Sequence, residues 1–228
     1  MPDGSPETLR LLSWNVASLR AGPEPCGAVI RAAEVDVAAL EEAPRFARWR
    51  SKRAALAREA GMVVATADRV GGVYLVTSIR AEVGEPRHIV LPRTSGLHQR
   101  ALVGVTVSIA RGKPWEVFVT RLGLDAGERE RHARSILAQL PAAERLVLAA
   151  DMNEAPDGAA WQALGAALTD AGAQRPSPDP GRRDAVFLAG GIQVMSYDVL
   201  DDPAARACSD HLPIVVTVSS TPSSTSGS

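Results

Sequence analysis

The chain has 228 residues, 46% of them apolar, and a formal net charge of −1. That length suits one large domain with one good core, and the apolar fraction excludes a disordered chain. The near-zero charge argues against a strongly nucleic-acid-binding surface. Positive charge is carried almost entirely by Arg, with Lys only at Lys52 and Lys113. Alongside abundant Ala, this reads as coding-sequence bias rather than function. Cys26 and Cys208 lie far apart. The expectation is two reduced thiols in a cytoplasmic protein, with one disulfide as the alternative. The first residues have neither a basic n-region nor an apolar h-region, so no secretory leader is expected. No apolar run approaches membrane-spanning length. Residues 1–8 are expected to be flexible, 9–218 to form the domain, and the Ser/Thr/Gly/Pro tail 219–228 to be disordered.

In chain order, Leu9 to Val16 reads as the first strand. Pro23 and Pro25 set up a short helix through Val29, Ile30 and Ala33. Asp36-Val37-Ala38-Ala39-Leu40 is a buried strand ending in Glu41-Glu42. Pro44 fits the first turn of a helix and Gly61 its C-cap, with Phe46, Trp49, Leu56 and Ala60 at helical spacing. Arg45, Arg48, Arg50, Arg53 and Arg58 surround that stripe as a solvated face, with phosphate binding the lesser alternative. From Met62 to Val119 the pattern is β throughout: Val73–Val76, Val83–Leu91, Ala101–Ile109 and Trp115–Val119. Asp125 and Glu128 have the spacing of a capping box, opening a helix with Ala133, Ile136, Leu137 and Leu140 on one face. Leu146–Ala150 is a buried strand running into Asp151-Met152-Asn153, and alternation points residues two apart to one face. Asp157 is a candidate cap for a helix carrying Trp161, Leu164 and Leu168. A Pro-rich loop spans 174–183. Asp184–Leu188, Ile192–Leu200 and Leu212–Val218 complete the strands, the last preceded by Ser209-Asp210-His211. Trp14 and Trp49 read as core, and His88, His98 and His132 as surface or loop residues.

Asn15, Glu42, Asp151, Asn153, Asp184, Asp210 and His211 all sit at the ends of short apolar runs. Singly, each is a cap or turn residue. Strand ends on one edge of a sheet gather in space, and ligand sites form there. Clustered carboxylates repel unless a cation is present, and oxygen ligands suit Mg²⁺ or Mn²⁺ rather than zinc. With one His nearby, the chemistry indicated is metal-assisted hydrolysis of a phosphate ester.

Leu12-Ser13-Trp14-Asn15-Val16, Leu40-Glu41-Glu42, Ala150-Asp151-Met152-Asn153 and Ser209-Asp210-His211-Leu212-Pro213 together resemble the ordered signature of the endonuclease/exonuclease/phosphatase family. The resemblance spans about Leu9 to Val218. It implies an α/β fold, a four-layer α/β sandwich of two mixed β-sheets packed face to face with helices outside. It also implies roles. Glu42 matches the principal Mg²⁺ ligand, with Asn15 beside it and Asp210 near the metal. Asp151 matches the acid that positions or activates the attacking water, and Asn153 the amide that contacts the phosphate. His211 matches the phosphate-contacting His, and Asp184 the acid that orients it.

Three departures stand out. Thr120-Arg121-Leu122 replaces the usual Thr-His-Leu; Arg121 suits phosphoryl charge but cannot act as a general acid. Ala150 replaces a Gly, and Arg183-Asp184-Ala185 replaces the usual Ile-Asp-Tyr. The expectation is a monomeric, metal-dependent phosphoesterase acting on a phosphate-ester substrate, nucleic acid included. The alternative is a catalytically impaired relative that binds a phosphorylated ligand or a protein partner. Among DNA, RNA, phosphoinositide and small esters the sequence does not choose.

Overall fold

The structure is a computed structural model that describes residues 7–175 and 181–220. The expectations for residues 1–6, for 176–180 of the Pro-rich loop and for 221–228 lie outside the described residues. The strands are β1 (Glu7–Asn15), β2 (Val37–Glu41), β3 (Met62–Val64), β4 (Tyr74–Ser78), β5 (Ala81–Val83), β6 (Arg87–Val90) and β7 (Ala101–Ile109). They continue as β8 (Trp115–Arg121), β9 (Leu146–Asp151), β10 (Thr169–Asp170), β11 (Asp184–Leu188), β12 (Ile192–Val199) and β13 (Ile214–Ser220). The helices are α1 (Pro23–Ala32), α2 (Trp49–Ala60), α3 (Ala126–Gln139), α4 (Ala159–Gly165) and α5 (Pro203–Cys208). A six-stranded sheet runs β12-β13-β1-β2-β4-β3, and a seven-stranded sheet runs β10-β11-β9-β8-β7-β5 with β6 also pairing β7. Both are mixed: β1 pairs β2, and β8 pairs β9, in parallel, and the other ladders are antiparallel.

Alternation along the strands makes the layers. Leu9, Leu11, Val37 and Ala39 of the first sheet meet Val117, Val119, Val147, Ala149 and Val186 of the second in the central core. The residues between them point outward. Leu12, Trp14 and Leu40 pack on α1, α2 and α5 through Ile30, Leu56 and Ala205. Phe118, Leu148 and Phe187 pack on α3 and α4 through Ile136 and Trp161. The expected four-layer sandwich is therefore observed. No helix among the described residues is long and apolar enough to cross a membrane.

Several local readings differ. β1 begins at Glu7 and β13 runs through Ser220, so each strand reaches two residues past the expected boundary. The expected strand 83–91 divides into β5 and β6 around Gly84-Glu85-Pro86, because a proline cannot donate to a ladder. Helix α2 starts at Trp49, not at Pro44, and closes on Gly61 at φ 69°. Phe46 is thus off the helix and 77% exposed. Arg53, expected on a solvated face, is buried instead. It lies over the rings of Trp49 and Tyr74 and donates to the carbonyls of Pro44 and Asp68.

Asp125 does cap α3, accepting from Glu128 N at 2.8 Å, but the Glu128 carboxylate accepts from Thr94 N, so the box is one-sided. Gly158, not Asp157, is the N-cap of α4. Helix α5, which the sequence pattern did not suggest, is capped by Asp202 with Pro203 opening its first turn. His132 is fully buried against the Pro92 carbonyl rather than at the surface. Cys26 and Cys208 are free thiols held side by side, and burial pushes Cys26 up to about 12.

Candidate active site

The central core ends in charge. Along β8, Val117 and Val119 face inward, and the next inward position is Arg121. Along β9 the inward series Val147, Ala149 ends at Asp151, and β11 enters the same face with Asp184. Arg121, Asp151 and Asp184 are cross-strand partners in one row. On the opposing sheet the inward series of β1 and β2 end at Asn15 and Glu41, themselves in register. The site therefore lies where both apolar faces run out, at the carboxyl ends of the parallel pairs.

Asn15, Asp151, Asp184 and His211 are all buried. Asn15 Nδ2 donates to Asp151 Oδ2 at 2.8 Å and to Glu42 Oε1 at 3.2 Å. Asn15 Oδ1 accepts from Ala17 N at 3.0 Å, which fixes the amide's orientation. His211 Nδ1 lies 2.7 Å from Asp184 Oδ2, and its Nε2 lies 3.5 Å from Asn15 Nδ2. The His211 loop is clamped from beneath: Ser209 Oγ donates to Asn15 O and accepts from His211 N, and Trp14 Nε1 donates to His211 O. Burial alone would lower the His211 pKa, but the hydrogen bond and charge of Asp184 outweigh it and hold the imidazole above its ordinary value. Burial pushes Asp184 upward, with the Asp151 charge adding and His211 opposing.

Arg121 closes the other side. Its Nη2 lies 2.6 Å from Glu42 Oε1, and its Nε lies 2.9 Å from Asp151 Oδ2. The second contact is an ion pair by distance only, because the Nε–H makes no aligned hydrogen bond. Glu42 and Asn153 sit in the left-handed region at φ 47° and 49°. Such geometry in a non-glycine residue costs roughly 1–3 kcal/mol and concentrates at functional sites. β9 stops at Asp151, so strand alternation does not reach Asn153. An Asx-turn from Asp151 Oδ1 to Asn153 N places it instead, and Asn153 Nδ2 donates to Leu122 O.

Of the residues expected from sequence, Asn15, Glu42, Arg121, Asp151, Asp184 and His211 are brought together, with Asn153 bound to Asp151. Asp210 is exposed, and among the described residues no hydrogen bond or ion pair joins it to the others. Ala150, in place of glycine, packs in the outer core between Thr120 and Ala185. Glu41 was not singled out from sequence. Glu41 is fully buried; Oε1 accepts from Ser13 Oγ at 3.2 Å, and Oε2 has no partner. Burial first, then the charges of Asp184 and Asp151, push its pKa well up. The inward parity of β2 was the available signal, since Glu41 continues the series Val37, Ala39.

The oxygen-rich donors suit a hard divalent ion. Atoms of Asp151, Asp184 and His211 lie within 4.8 Å of one another, and Asp151 shares Asn15 with Glu42. Arg121, however, already rests on the carboxylates of Glu42 and Asp151.

A four-layer sandwich with an acid–imidazole pair facing an acid–amide cluster at its strand ends is the architecture of a phosphoesterase fold. The chain belongs to the Endonuclease/Exonuclease/phosphatase family, whose sequence model matches residues 12–211. A sequence comparison with curated proteins gives no match. Among solved structures, the chain is similar to a Bacteroides thetaiotaomicron mannosyl-6-phosphatase (TM-score 0.74, 15% identity, 92% of this chain and 99% of that one). It is also similar to the human Nocturnin catalytic domain with bound sulfate (TM-score 0.71, 18% identity, 93% and 94% covered). A third is D. rerio TDP2 complexed with a single-strand DNA product (TM-score 0.69, 20% identity, 94% and 100% covered).

Proposed function

We propose that the chain is a divalent-metal-dependent hydrolase of phosphate esters. The observation that carries this reading is the buried Asp184–His211 pair facing Asp151 across Asn15. Asp151 is the base that orients or deprotonates the attacking water, held in place by Asn15. His211, kept cationic by Asp184, donates to the developing phosphoryl charge. Asn153 contacts the phosphate. Glu42, with Asp210 as the further acid, would hold Mg²⁺ or Mn²⁺, while Asn15, expected beside the ion, steadies the Glu42 carboxylate through its Nδ2; a bound ion would supply charge at the phosphoryl oxygen and acidify water. Arg121 occupies the place of a second His and stabilises phosphoryl charge without transferring a proton.

Relatives of similar fold are described as acting on a sugar phosphate and as holding a DNA product. Both fit a phosphate ester here, and the net charge of −1 disfavours long duplex DNA. The experiment is hydrolysis of bis-p-nitrophenyl phosphate and p-nitrophenyl phosphate with Mg²⁺, Mn²⁺ or EDTA, beside Asp151→Ala. Metal-dependent release lost in the variant is the expected result, and release unaffected by either EDTA or the substitution would remove the proposal. A second reading, an impaired relative that binds a phosphorylated ligand, is favoured by one observation: Arg121 already neutralises Glu42 and Asp151. Absence of hydrolysis of both substrates, with phosphate binding retained, would select it.

A further inference from the structure

Two carboxylate oxygens, Glu42 Oε1 and Asp151 Oδ2, each meet the same two partners. Arg121 reaches them through Nη2 and Nε, and Asn15 Nδ2 donates to both. The backbone around them is fixed. Arg121 ends β8 in register with Asp151, and Leu122 N donates to Asp151 O at 2.9 Å. Glu42 stands at φ 47°, and its carbonyl accepts from Ser18 N at 2.9 Å. The Asn15 amide is held by Ala17 N. Movement here is therefore left to the side chains of Arg121 and Glu42. These are 16% and 23% exposed, whereas that of Asp151 is wholly buried. The Arg121–Glu42 contact is thus the solvent-facing side of the knot.

Charge makes this contact conditional. Asn15 is neutral, and one guanidinium offsets only one of two carboxylate charges. Both would be offset by a divalent cation, and Arg121 kept beside it would add like-charge repulsion in a setting of low polarity. The two cations therefore exclude each other from these oxygens. Releasing Arg121 costs little. At Asp151 its contact is charge without an aligned hydrogen bond, and a pair with an exposed side contributes little. Asn15 stays on both oxygens, so neither carboxylate loses its last donor. A phosphate between Asp151 and His211 offers the guanidinium paired oxygens, which its planar fork fits better than the two separate carboxylates it spans.

We propose that Arg121 is a two-position latch, closed on Glu42 and Asp151 in the free protein and carried onto the phosphate when substrate and a divalent cation bind together. The inference rests on the phosphoesterase reading and deepens it by naming how that site is controlled. Each ligand removes the restraint that opposes the other. With a cation alone, Arg121 leaves its carboxylates without an anion to receive it. With phosphate alone, Arg121 leaves two carboxylates unbalanced. With both, the carboxylates are balanced and Arg121 joins His211 in facing the phosphate. Cation and phosphate should therefore bind cooperatively, and the coupling is reciprocal.

The first test is a double-mutant cycle, read by calorimetry of inorganic phosphate binding to the full chain in EDTA, where neither turnover nor metal enters. Glu42→Gln removes one arm of the latch and should tighten phosphate binding by about tenfold. The same substitution in an Arg121→Gln background should give only about a twofold gain, the effect of the lost charge alone. Equal gains in both backgrounds would overturn the latch. The second test titrates Mn²⁺ with and without phosphate. Phosphate should tighten Mn²⁺ binding to the unaltered protein by about tenfold or more, and by several-fold less in Arg121→Gln, to which Mn²⁺ alone already binds more tightly. An undiminished phosphate effect in the variant would also overturn the latch, because direct contact of ion and phosphate would then account for all of it. Arg121→Lys serves if Arg121→Gln fails to fold. It keeps the charge but brings one nitrogen to two carboxylates, so Mn²⁺ alone should bind it more tightly than the parent, and parent-like affinity would overturn the bridge. Coupling in a protein that hydrolyses no ester would leave the latch standing and remove the phosphoesterase reading; hydrolysis without coupling would do the reverse.

Discussion

The Asp184–His211 wall of the cleft and the Glu42–Arg121 wall bury charge in different ways. Across the first, a carboxylate and an imidazole face each other at 2.7 Å, and both can exchange protons. Their charge state follows pH, and each shifts the other. Across the second, a guanidinium that keeps its proton lies between two carboxylates, at 2.6 Å from Glu42 and 2.9 Å from Asp151. That charge is fixed. The first wall is suited to moving a proton and the second to holding a negative group still. Asp151 belongs to both, since Asn15 and Arg121 share its Oδ2.

If that division is right, the largest effect comes from the shared residue. Asp151→Asn should lower kcat/KM by about 10³-fold or more, as loss of a positioned base does. Activity within a few-fold of the parent would mean the two walls do not meet at Asp151. Next is the proton-handling wall. Asp184→Asn should cost about 10²-fold, and it should also move the pH profile. Asp184 raises the His211 pKa, so its removal lowers it, and the alkaline limb of the rate profile should shift to lower pH. A loss of rate with an unmoved alkaline limb would show Asp184 to be a mere support. His211 contributes stability in the same sense: its gain is present below the ordinary histidine pKa and fades as pH rises through the raised one.

The fixed-charge wall gives a different signature. Arg121 and a divalent ion would use the same oxygens of Glu42 and Asp151, so they oppose each other. Arg121→Gln should therefore tighten Mn²⁺ binding by about tenfold, measured by calorimetry or by the Mn²⁺ paramagnetic signal. Glu42→Gln should weaken it. Unchanged Mn²⁺ affinity in Arg121→Gln would separate the metal position from the Arg121 bridge. Arg121→His adds a kinetic reading: a rise in turnover marks the arginine as a lesion of the family's usual site, and a fall marks an adapted role.

Most of this layout was legible because strand parity and terminal polarity are local. The series Val147, Ala149, Asp151 announces both a buried strand and the acid at its end. The signature residues Asn15, Glu42, Asp184 and His211 also meet in one cleft, through contacts of the Asn15 amide with Glu42 and His211 and of His211 with Asp184. Arg121 was legible as a departure, but not as a bridge, since ion pairing depends on two strands meeting. Helix boundaries failed where a side chain's partners lay far off in sequence. Arg53 was read as solvated because Tyr74 and the Asp68 carbonyl were needed to show it buried.

The smallest effect concerns the floor between the walls. Glu41 is fully buried beneath Asp151 and Asp184, with one oxygen unpartnered, and its pKa is raised well above the ordinary value. A carboxyl whose folded pKa is raised binds its proton more tightly in the folded state. Its contribution is therefore intact at low pH and turns unfavourable as pH climbs past the ordinary carboxyl value, where the unfolded chain ionises and the folded one does not. Glu41→Gln keeps the shape and removes the titration. The variant should melt like the parent near pH 4, and above it by about 2–4 °C or more at pH 8. A pH-independent difference would show that Glu41 is ionised in the folded protein. Arg121 would then have to neutralise a third carboxylate, and the fixed-charge wall would extend beneath the acid–imidazole pair.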